Sequence, residues 1–150
     1  MGKVTVITGG TSGIGRGIAE KILAESAAED RIFVTYGHNE EKAQTFLESL
    51  PREKRSQVIL MKADMSSYED MMAFVAELKD QADHIDWLVS NAGVSTYAKY
   101  EDYTFEEWTR IVNTNLSVPV FMVKELRPLM SEGGSVLFTG SYAGQQAYSS

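Results

Sequence analysis

A glycine-rich loop between an apolar run and a helical stretch is the feature of this sequence that most constrains its fold. The run Val4–Thr8 is followed by Gly9-Gly10-Thr11-Ser12-Gly13-Ile14-Gly15, and a helical pattern then extends from Ile14 to about Ala24. Glycines at such a junction allow a tight turn and a close approach of a phosphate, and the helix N-terminus adds free N–H groups and a positive dipole end. The loop predicts a phosphate site, with an ordinary glycine-rich turn as the alternative.

The spacing within this loop separates it from two common nucleotide-binding motifs. Gly10 and Gly15 have the outer spacing of a nucleoside triphosphate P-loop, but Arg16-Gly17 stands where that motif requires Lys-Ser/Thr. The standard G-x-G-x-x-G fingerprint also fails, because the glycines recur at positions 9, 13 and 15. The loop therefore belongs to neither of these two types.

Strand-like and helix-like patterns alternate along the chain. Helical stretches at Glu40–Leu50 and Tyr68–Ala82 carry apolar stripes, and Asn39, Ser67 and Thr104 are predicted helix caps. Five short apolar runs without clean alternation indicate buried parallel strands: Val4–Thr8, Ile32–Tyr36, Val58–Lys62, Trp87–Ser90 and Val136–Thr139.

This order of elements predicts one α/β domain over residues 1–150, with a doubly wound parallel sheet in strand order 3-2-1-4-5. The first strand then lies beside the fourth, and the winding direction reverses between them. Ligands of such sheets bind at that crevice.

Charge and composition exclude several other functions. A formal net charge of −7 argues against nucleic acid or an anionic membrane as a partner. The chain has no cysteine and only two isolated histidines, His38 and His84, so no metal site is expected. No signal peptide or membrane span is recognisable, and a cytoplasmic location is the expectation.

Two short motifs follow predicted strands. Ala63-Asp64-Met65 follows the third strand, and Ser90-Asn91-Ala92-Gly93 follows the fourth. Taken alone, Asp64 is interpreted as a cap or turn residue and Asn91 as an Asx-turn beside a glycine hinge. Because the first and fourth strands are neighbours, the glycine-rich loop and residues 91–93 are expected to converge on one crevice.

Pro119 predicts an irregularity in the fourth helix. It lacks an N–H, so the carbonyl of Asn115, four residues earlier, loses its usual donor. A freed carbonyl facing the crevice can accept a hydrogen bond from an ordered water. The alternative is a helix that merely bends at this point.

These motifs together resemble the short-chain dehydrogenase/reductase family along the whole chain. The family's T-G-x-x-x-G-x-G pattern corresponds to Thr8–Gly15, and its N-N-A-G segment to Ser90–Gly93, with serine in the first position. The segment Gly133–Gly144 is similar to the family's fifth strand and places the catalytic serine at Ser141. The resemblance implies a Rossmann-type fold and nicotinamide-dependent hydride transfer.

The resemblance also implies roles for the matched residues. Asp64 would accept from the adenine amino group, the carbonyl of Asn115 would bind a proton-relay water, and Ser141 would hydrogen-bond the substrate oxygen as charge develops. Ser141 is not expected to be a nucleophile, because no G-x-S-x-G motif is present. The predicted cofactor-binding residues are Gly9, Thr11, Ser12, Gly13, Ile14, Gly15, Tyr36, His38, Asp64, Met65, Asn91, Ala92 and Gly93.

The end of the second strand bears on the choice of cofactor. NAD-preferring members usually carry an acidic residue there, whereas this chain has Tyr36-Gly37-His38-Asn39. The segment from Tyr36 to Ala43 resembles that of 3-oxoacyl-carrier-protein reductases, so NADP(H) is favoured over NAD(H). Ser12 stands where many NADP-dependent members have Arg, so His38, Asn39 or Arg16 would have to help.

The family's proton donor has no match in this sequence. The family places a Tyr-x-x-x-Lys about a dozen residues beyond its serine, and Tyr142 and Tyr148 are too close to Ser141 for that spacing. Neither tyrosine is interpreted as catalytic. We expect the gene to continue past Ser150, with further C-terminal strands and the missing tyrosine and lysine.

The sequence thus predicts an NADP-dependent oxidoreductase acting on a small carbonyl or alcohol, with a homo-oligomer expected for the full-length protein. A 3-oxoacyl thioester is implied by resemblance alone, and a sugar, steroid or small ketone fits equally well. The alternative is a non-catalytic dinucleotide-binding module. The presence or absence of the Tyr-x-x-x-Lys in the gene separates the two.

Overall fold

The computed structural model describes residues 1–145 and contains one five-stranded sheet in which every neighbouring pair is parallel. The strand order is β3-β2-β1-β4-β5, which confirms the predicted topology and matches part of a doubly wound fold. The strands are β1 (Val4–Ile7), β2 (Arg31–Tyr36), β3 (Val58–Lys62), β4 (Ile85–Ser90) and β5 (Met130–Phe138).

Helices connect the strands. The first three α-helices follow β1, β2 and β3 in turn, and two more lie between β4 and β5, separated by a π-helical turn at Asn113–Ser117. They are α1 (Gly13–Glu25), α2 (Glu40–Ser49), α3 (Tyr68–Gln81), α4 (Phe105–Val112) and α5 (Val118–Leu126).

The sheet has a core on each face. All four residues of β1 are buried, and successive side chains point to opposite faces. Val6 belongs to a cluster with apolar side chains of α3 and α5, including Phe74 and Met122. Ile7 belongs to a second cluster with side chains of α1 and α2, including Leu23 and Phe46. Each such side chain contributes about 1.5–3 kcal/mol on burial, so both helical layers are fixed to the sheet.

The three predicted caps are present. The side-chain oxygens of Asn39, Ser67 and Thr104 accept from backbone N–H groups three residues later, at 2.8, 3.1 and 3.1 Å. Each cap is worth about 1 kcal/mol. Helices α2, α3 and α4 therefore begin where the sequence predicted.

The fifth strand differs from the prediction in length and burial. It begins at Met130, before the predicted Val136, and pairs with β4 through an irregular register between Ile85 and Trp87. Gly133 has φ +79°, so the glycines mark the bulge that hid the start of the strand. Most residues of β5 are exposed, unlike those of a buried strand, and among the described residues no strand pairs with its outer edge.

Candidate active site

The glycine-rich loop and the segment after β4 are joined by side-chain hydrogen bonds. The Asn91 amide nitrogen donates to the carbonyl oxygens of Thr8 and Gly9, at 3.2 and 3.3 Å. In return the Thr8 hydroxyl accepts from the backbone nitrogens of Asn91 and Ala92, both at 3.0 Å. The two segments thus meet in one crevice at the carboxyl ends of β1 and β4, as the topology predicted.

The loop conformation requires glycine at specific positions. Gly9 and Gly13 have φ values of +63° and +53°, which other residues rarely adopt. A Cβ on Gly15 would lie 2.3 Å from the Gly9 carbonyl oxygen and 2.4 Å from the Asn91 amide nitrogen. The first turn of α1 is therefore packed directly against the loop and against Asn91.

The N-terminus of α1 is suited to an anion. Ser12 forms no side-chain cap, and the first turn of α1 carries no acidic residue. In contrast, α2, α3 and α4 are each capped by a side chain and have two acidic residues in the first turn. The leading N–H groups of α1, together with the positive end of its dipole, face the crevice without a negative side chain beside them.

Two clefts open from this crevice. The first has a volume of about 550 Å³ and extends past Gly37, His38, Asp64 and Ser66 at the ends of β2 and β3. The second has a volume of about 610 Å³ and extends past Asn115, in the π-helical turn, to Ser141, which follows β5. Both are lined by Ile14, Asn91, Ala92, Gly93, Val94 and Thr139. Together they form one groove that crosses the sheet with the glycine-rich loop at its middle.

The Asp64 carboxylate lies in the first cleft with three hydrogen-bonding partners. Its Oδ1 accepts from the backbone nitrogen and hydroxyl of Ser66, at 2.8 and 2.7 Å. Its Oδ2 lies 3.0 Å from Nε2 of His38. Partial burial raises the pKa of Asp64, but the bonds from Ser66 and the nearby His38 outweigh it, so this pKa lies below its usual value. Asp64 is therefore an anion at neutral pH.

Asn115 contacts the loop that follows β4. Its side-chain Oδ1 accepts from the backbone nitrogen of Val94 at 2.9 Å, and its Nδ2 donates to the Val94 carbonyl at 2.7 Å. Asn115 lies within the π-helical turn, in which the Val118 N–H donates to the Asn113 carbonyl, and this turn is the irregularity that the structure has before Pro119. Sequence reasoning missed both the π-turn and this side-chain pair. The water-relay role of the Asn115 carbonyl stays a prediction.

Ser141 lies in the second cleft and is exposed. Its Oγ accepts from the backbone nitrogen of Ala143 at 3.2 Å and thereby begins a short 3-10 turn. A hydroxyl that already accepts one bond can still donate its own proton. The Ser141 O–H is thus available to an oxygen in the second cleft.

Threonines at the strand ends complete the network and were missed from the sequence. The Gly9 nitrogen donates to the Thr35 hydroxyl at 3.1 Å, and the Thr139 hydroxyl donates to Oδ1 of Asn91 at 3.0 Å. Arg110 and Thr114 also line the first cleft. A threonine at the end of several parallel strands is the signal that could have indicated the network.

The predicted cofactor-binding residues fall into two groups. Nine line the first cleft: Gly9, Ser12, Ile14, His38, Asp64, Met65, Asn91, Ala92 and Gly93. Thr11, Gly13, Gly15 and Tyr36 line neither cleft, and Thr11 and Gly15 are buried behind the loop. Burial raises the pKa of Tyr36, with a smaller effect from Glu40. Tyr148 lies outside the described residues.

Between residues 1 and 145, no helix combines the length and the apolar character needed to cross a bilayer. That part of the chain also holds no group of three histidine or carboxylate side chains placed to bind one metal ion.

Comparison with known proteins identifies the family. A sequence model described as short chain dehydrogenase matches residues 3–150. The chain belongs to the short-chain dehydrogenase/reductase family, whose members are oxidoreductases.

Individual relatives are similar over nearly the whole of this chain. A hydroxynaphthalene reductase of Aspergillus fumigatus is 28% identical over 95% of the chain and 50% of its own length. A 3beta-hydroxysteroid dehydrogenase of Mediterraneibacter gnavus is 30% identical over 99% of the chain and 52% of its own length. The chain spans about half the length of the curated relatives that it matches.

Solved structures share the fold. A short-chain dehydrogenase/reductase from Brucella melitensis superposes with a TM-score of 0.83 at 28% identity, over 97% of this chain and 60% of that one. The Pseudomonas aeruginosa RhlG/NADP active-site complex gives 0.82 at 27% identity, over 99% and 58%. A blue fluorescent protein from a metagenomic library, in complex with NADPH, gives 0.84 at 26% identity, over 97% and 58%.

Proposed function

We propose that this chain is the cofactor-binding part of an NADP(H)-dependent oxidoreductase that acts on a carbonyl or alcohol. The observation that carries the proposal is the groove across β3, β2, β1, β4 and β5, with the uncapped N-terminus of α1 at its middle. An elongated ligand with an anionic centre and two flat ends matches this shape and charge.

The residues of the groove fit a nicotinamide dinucleotide. The N–H groups of α1 would hold the pyrophosphate, and the glycines would let the loop approach it closely because they carry no side chains. Residues other than glycine rarely adopt the positive φ of Gly9 and Gly13. Asp64 would receive the adenine amino group, and residues 91–93 would lie beneath the cofactor. When bound, the cofactor supplies or accepts the hydride.

A preference for NADP(H) over NAD(H) is part of the proposal. Gly37 and His38 line the cleft after β2, where NAD-dependent members carry a carboxylate that repels a 2′-phosphate. Structures of two relatives contain NADP or NADPH. A neutral or cationic side chain at this point accepts the additional phosphate without repulsion.

In the second cleft, the Ser141 hydroxyl would donate to the substrate oxygen as negative charge builds on it. The side chain of Asn115 would hold the loop at Val94 that borders this cleft. The substrate is a small carbonyl or alcohol compound, and a 3-oxoacyl thioester is one candidate within that class. The general acid is expected in a tyrosine and lysine beyond the described residues.

Two further properties complete the proposal. Exposed apolar side chains on α4 and α5, among them Phe105, Trp108 and Phe121, support a homo-oligomer of the full-length protein. A cytoplasmic location fits the absence of cysteine from the sequence.

Binding and turnover of the full-length gene product test the proposal. Thermal protection by NADPH should exceed that by NADH, and NADPH oxidation should depend on an added ketone. Ser141→Ala should bind NADPH normally and lose about 100-fold or more of kcat. Binding without turnover on any ketone or alcohol would favour the non-catalytic dinucleotide-binding module. Absence of NADPH binding would refute both.

A further inference from the structure

We propose that Asn113 is a positioning residue for the dinucleotide: from the π-helical turn it holds the Ser66 carbonyl, and Ser66 in turn directs the Asp64 carboxylate. This inference rests on the proposed function, in which Asp64 receives the adenine amino group. It adds a residue that lies outside the motifs described above and that acts through its neighbours.

A hydrogen bond joins the π-helical turn to the loop that follows β3. Nδ2 of Asn113 donates to the carbonyl oxygen of Ser66 at 3.3 Å, across 47 positions of sequence. Asn113 is partly buried and lines neither cleft, whereas Ser66 lines the first cleft. The amide therefore meets the loop from behind and leaves the ligand side of the loop open.

Ser66 transmits this contact to Asp64. Its backbone nitrogen and its hydroxyl both donate to Oδ1 of Asp64, at 2.8 and 2.7 Å. Oδ2 lies 3.0 Å from Nε2 of His38, and a carboxylate oxygen has two lone pairs, so Oδ2 can accept one further bond. By fixing the backbone of Ser66, Asn113 fixes the direction in which this oxygen faces the adenine.

Three consecutive residues of the turn contact three different parts of the groove. Thr114 is buried and lines the first cleft. Asn113, before it, bonds the loop after β3, and Asn115, after it, pairs with Val94 in the loop after β4. Successive residues of a helix point about 100° apart, so a single turn can hold both loops and still present one side chain to the cleft. Turns of the π type are frequent at functional sites.

Other contacts hold the loop after β3 in place without directing the carboxylate. Met65 is buried in the core with side chains of α3 and α5. The Asp70 carboxylate, on α3, accepts from the backbone nitrogen of Asp64 at 3.3 Å. Loss of the Asn113 amide should therefore leave the loop folded and change the orientation of Ser66, so the effect should fall on cofactor affinity.

Binding of NADPH by the full-length protein tests the inference. Asn113→Leu has nearly the size of Asn but no N–H, and it should raise the NADPH dissociation constant about threefold to tenfold, as expected for one hydrogen bond. The inhibition constant of 2′,5′-ADP, which contains the adenine but no nicotinamide, should rise by the same factor. The kcat at saturating NADPH should not fall, because Ser141 lies in the other cleft.

A double-mutant cycle separates positioning from general support of the fold. Asp64→Ala should weaken NADPH binding by itself. Asn113→Leu added to Asp64→Ala should then weaken it by less than about twofold, because the carboxylate that Asn113 positions is gone. A residue that only supported the fold would weaken binding by the same factor in both backgrounds.

Two further variants provide controls. Asn113→Ala adds no bulk and should reproduce the effect of Asn113→Leu. Thr109 lies one turn earlier on α4, is also partly buried and lines neither cleft, so Thr109→Ala should leave both constants unchanged. Urea unfolding verifies that every variant is folded under the assay conditions.

The outcomes separate the inference from the proposed function. Four results would overturn the inference while NADPH binding still supported the function: an unchanged NADPH constant in the Asn113 variants, a 2′,5′-ADP constant that does not follow it, a lower kcat, or equal effects with and without Asp64. An equal loss in Thr109→Ala would do the same. Unaltered binding by Asp64→Ala would overturn the adenine contact and this inference together, and failure of the unmodified protein to bind NADPH would overturn the proposed function itself.

Discussion

The side-chain amide of Asn115 pairs with both backbone groups of Val94, accepting from its N–H and donating to its carbonyl. A side chain from the π-helical turn thus serves as a substitute strand neighbour for the segment leaving β4. Gly93 contributes to this arrangement, because a Cβ there would lie only 3.3 Å from Oδ1 of Asn115. Val94 lines both clefts, so the pairing with Asn115 holds a segment that the two clefts share.

Replacement of Asn115 by Ala should lower the free energy of unfolding by about 1–2 kcal/mol, because two hydrogen bonds are lost. Urea unfolding gives this value. Leu116→Ala is the matched control, since Leu116 is a 62% exposed neighbour and should change stability by less than about 0.5 kcal/mol. Equal losses in both variants would contradict a specific role for the Val94 pairing.

Gly15 and Gly17 lie in the same helix and should respond oppositely to alanine. In Gly15→Ala the new methyl would meet the Gly9 carbonyl and Asn91, so unfolding free energy should fall by about 1–3 kcal/mol and cofactor affinity should drop. A Cβ at Gly17 meets nothing within 4 Å, so Gly17→Ala should stabilise α1 by about 0.5–1 kcal/mol. Calorimetry with and without NADPH measures both effects. If both substitutions are tolerated, the close packing at Gly15 is wrong.

Thr35 should be needed for its hydroxyl rather than for its shape. Thr35 is 1% exposed, and Thr35→Val removes the hydroxyl that accepts from the Gly9 N–H. The variant should therefore lose about 1–3 kcal/mol of unfolding free energy and bind NADPH more weakly. Thr35→Ser keeps the acceptor and should recover most of the binding. Isothermal titration of both variants checks this, and equal binding by Val and Ser variants would exclude the hydroxyl as the cause.

His84 lies directly before β4, at the end of the sheet opposite the groove, and should make the free energy of unfolding depend on pH. A hydrogen bond to Asp83 raises the pKa of His84, burial lowers it by less, and the Gly2 carbonyl and Asp86 raise it further. Because the folded pKa exceeds the unfolded pKa, this stabilisation is fully present below about pH 6.5 and is lost as pH rises through the folded value. Urea midpoints from pH 5.5 to 8.5 should fall in the native protein.

The same pH series in His84→Gln provides the comparison. In His84→Gln, the urea midpoint should lose the part of its pH dependence that comes from His84. Asp83→Asn should reduce that part, because the partner of the imidazole becomes neutral. NADPH affinity should be unaffected in both, since neither residue lines the clefts. A slope retained in full by His84→Gln would assign the pH dependence to other groups.

Local patterns were sufficient to predict most of the architecture. The caps at Asn39, Ser67 and Thr104 and the buried runs of β1 to β4 are short-range signals, and each corresponds to an element that begins within two residues of the predicted position. The start of β5 was missed because Ser131, Glu132 and two glycines interrupt its apolar pattern. Because the pairing with β4 holds β5 in register, β5 need not show a strong apolar pattern of its own.

Nine of the thirteen predicted cofactor-binding residues line the first cleft, but their contacts with one another were not predicted. The glycine-rich loop and Asn91 were expected to meet because topology requires it. The pairing of His38 with Asp64, and of Asn115 with Val94, depends on side-chain directions that spacing does not specify. The π-turn was missed for a related reason. Pro119 predicts the loss of a helical hydrogen bond, but it does not specify whether the helix bends or widens into a π-helical turn.

The hydrogen bonds that Gly9 donates to Thr35, Asn91 donates to Gly9 and Thr139 donates to Asn91 also have a consequence for biosynthesis. They connect four strands that are far apart in sequence, so the groove has no local precursor and forms only when non-local pairing is complete. A nascent chain should gain affinity for dinucleotide only after Thr139 has left the ribosome. Cofactor capture would then mark the moment when these four strands have finished pairing.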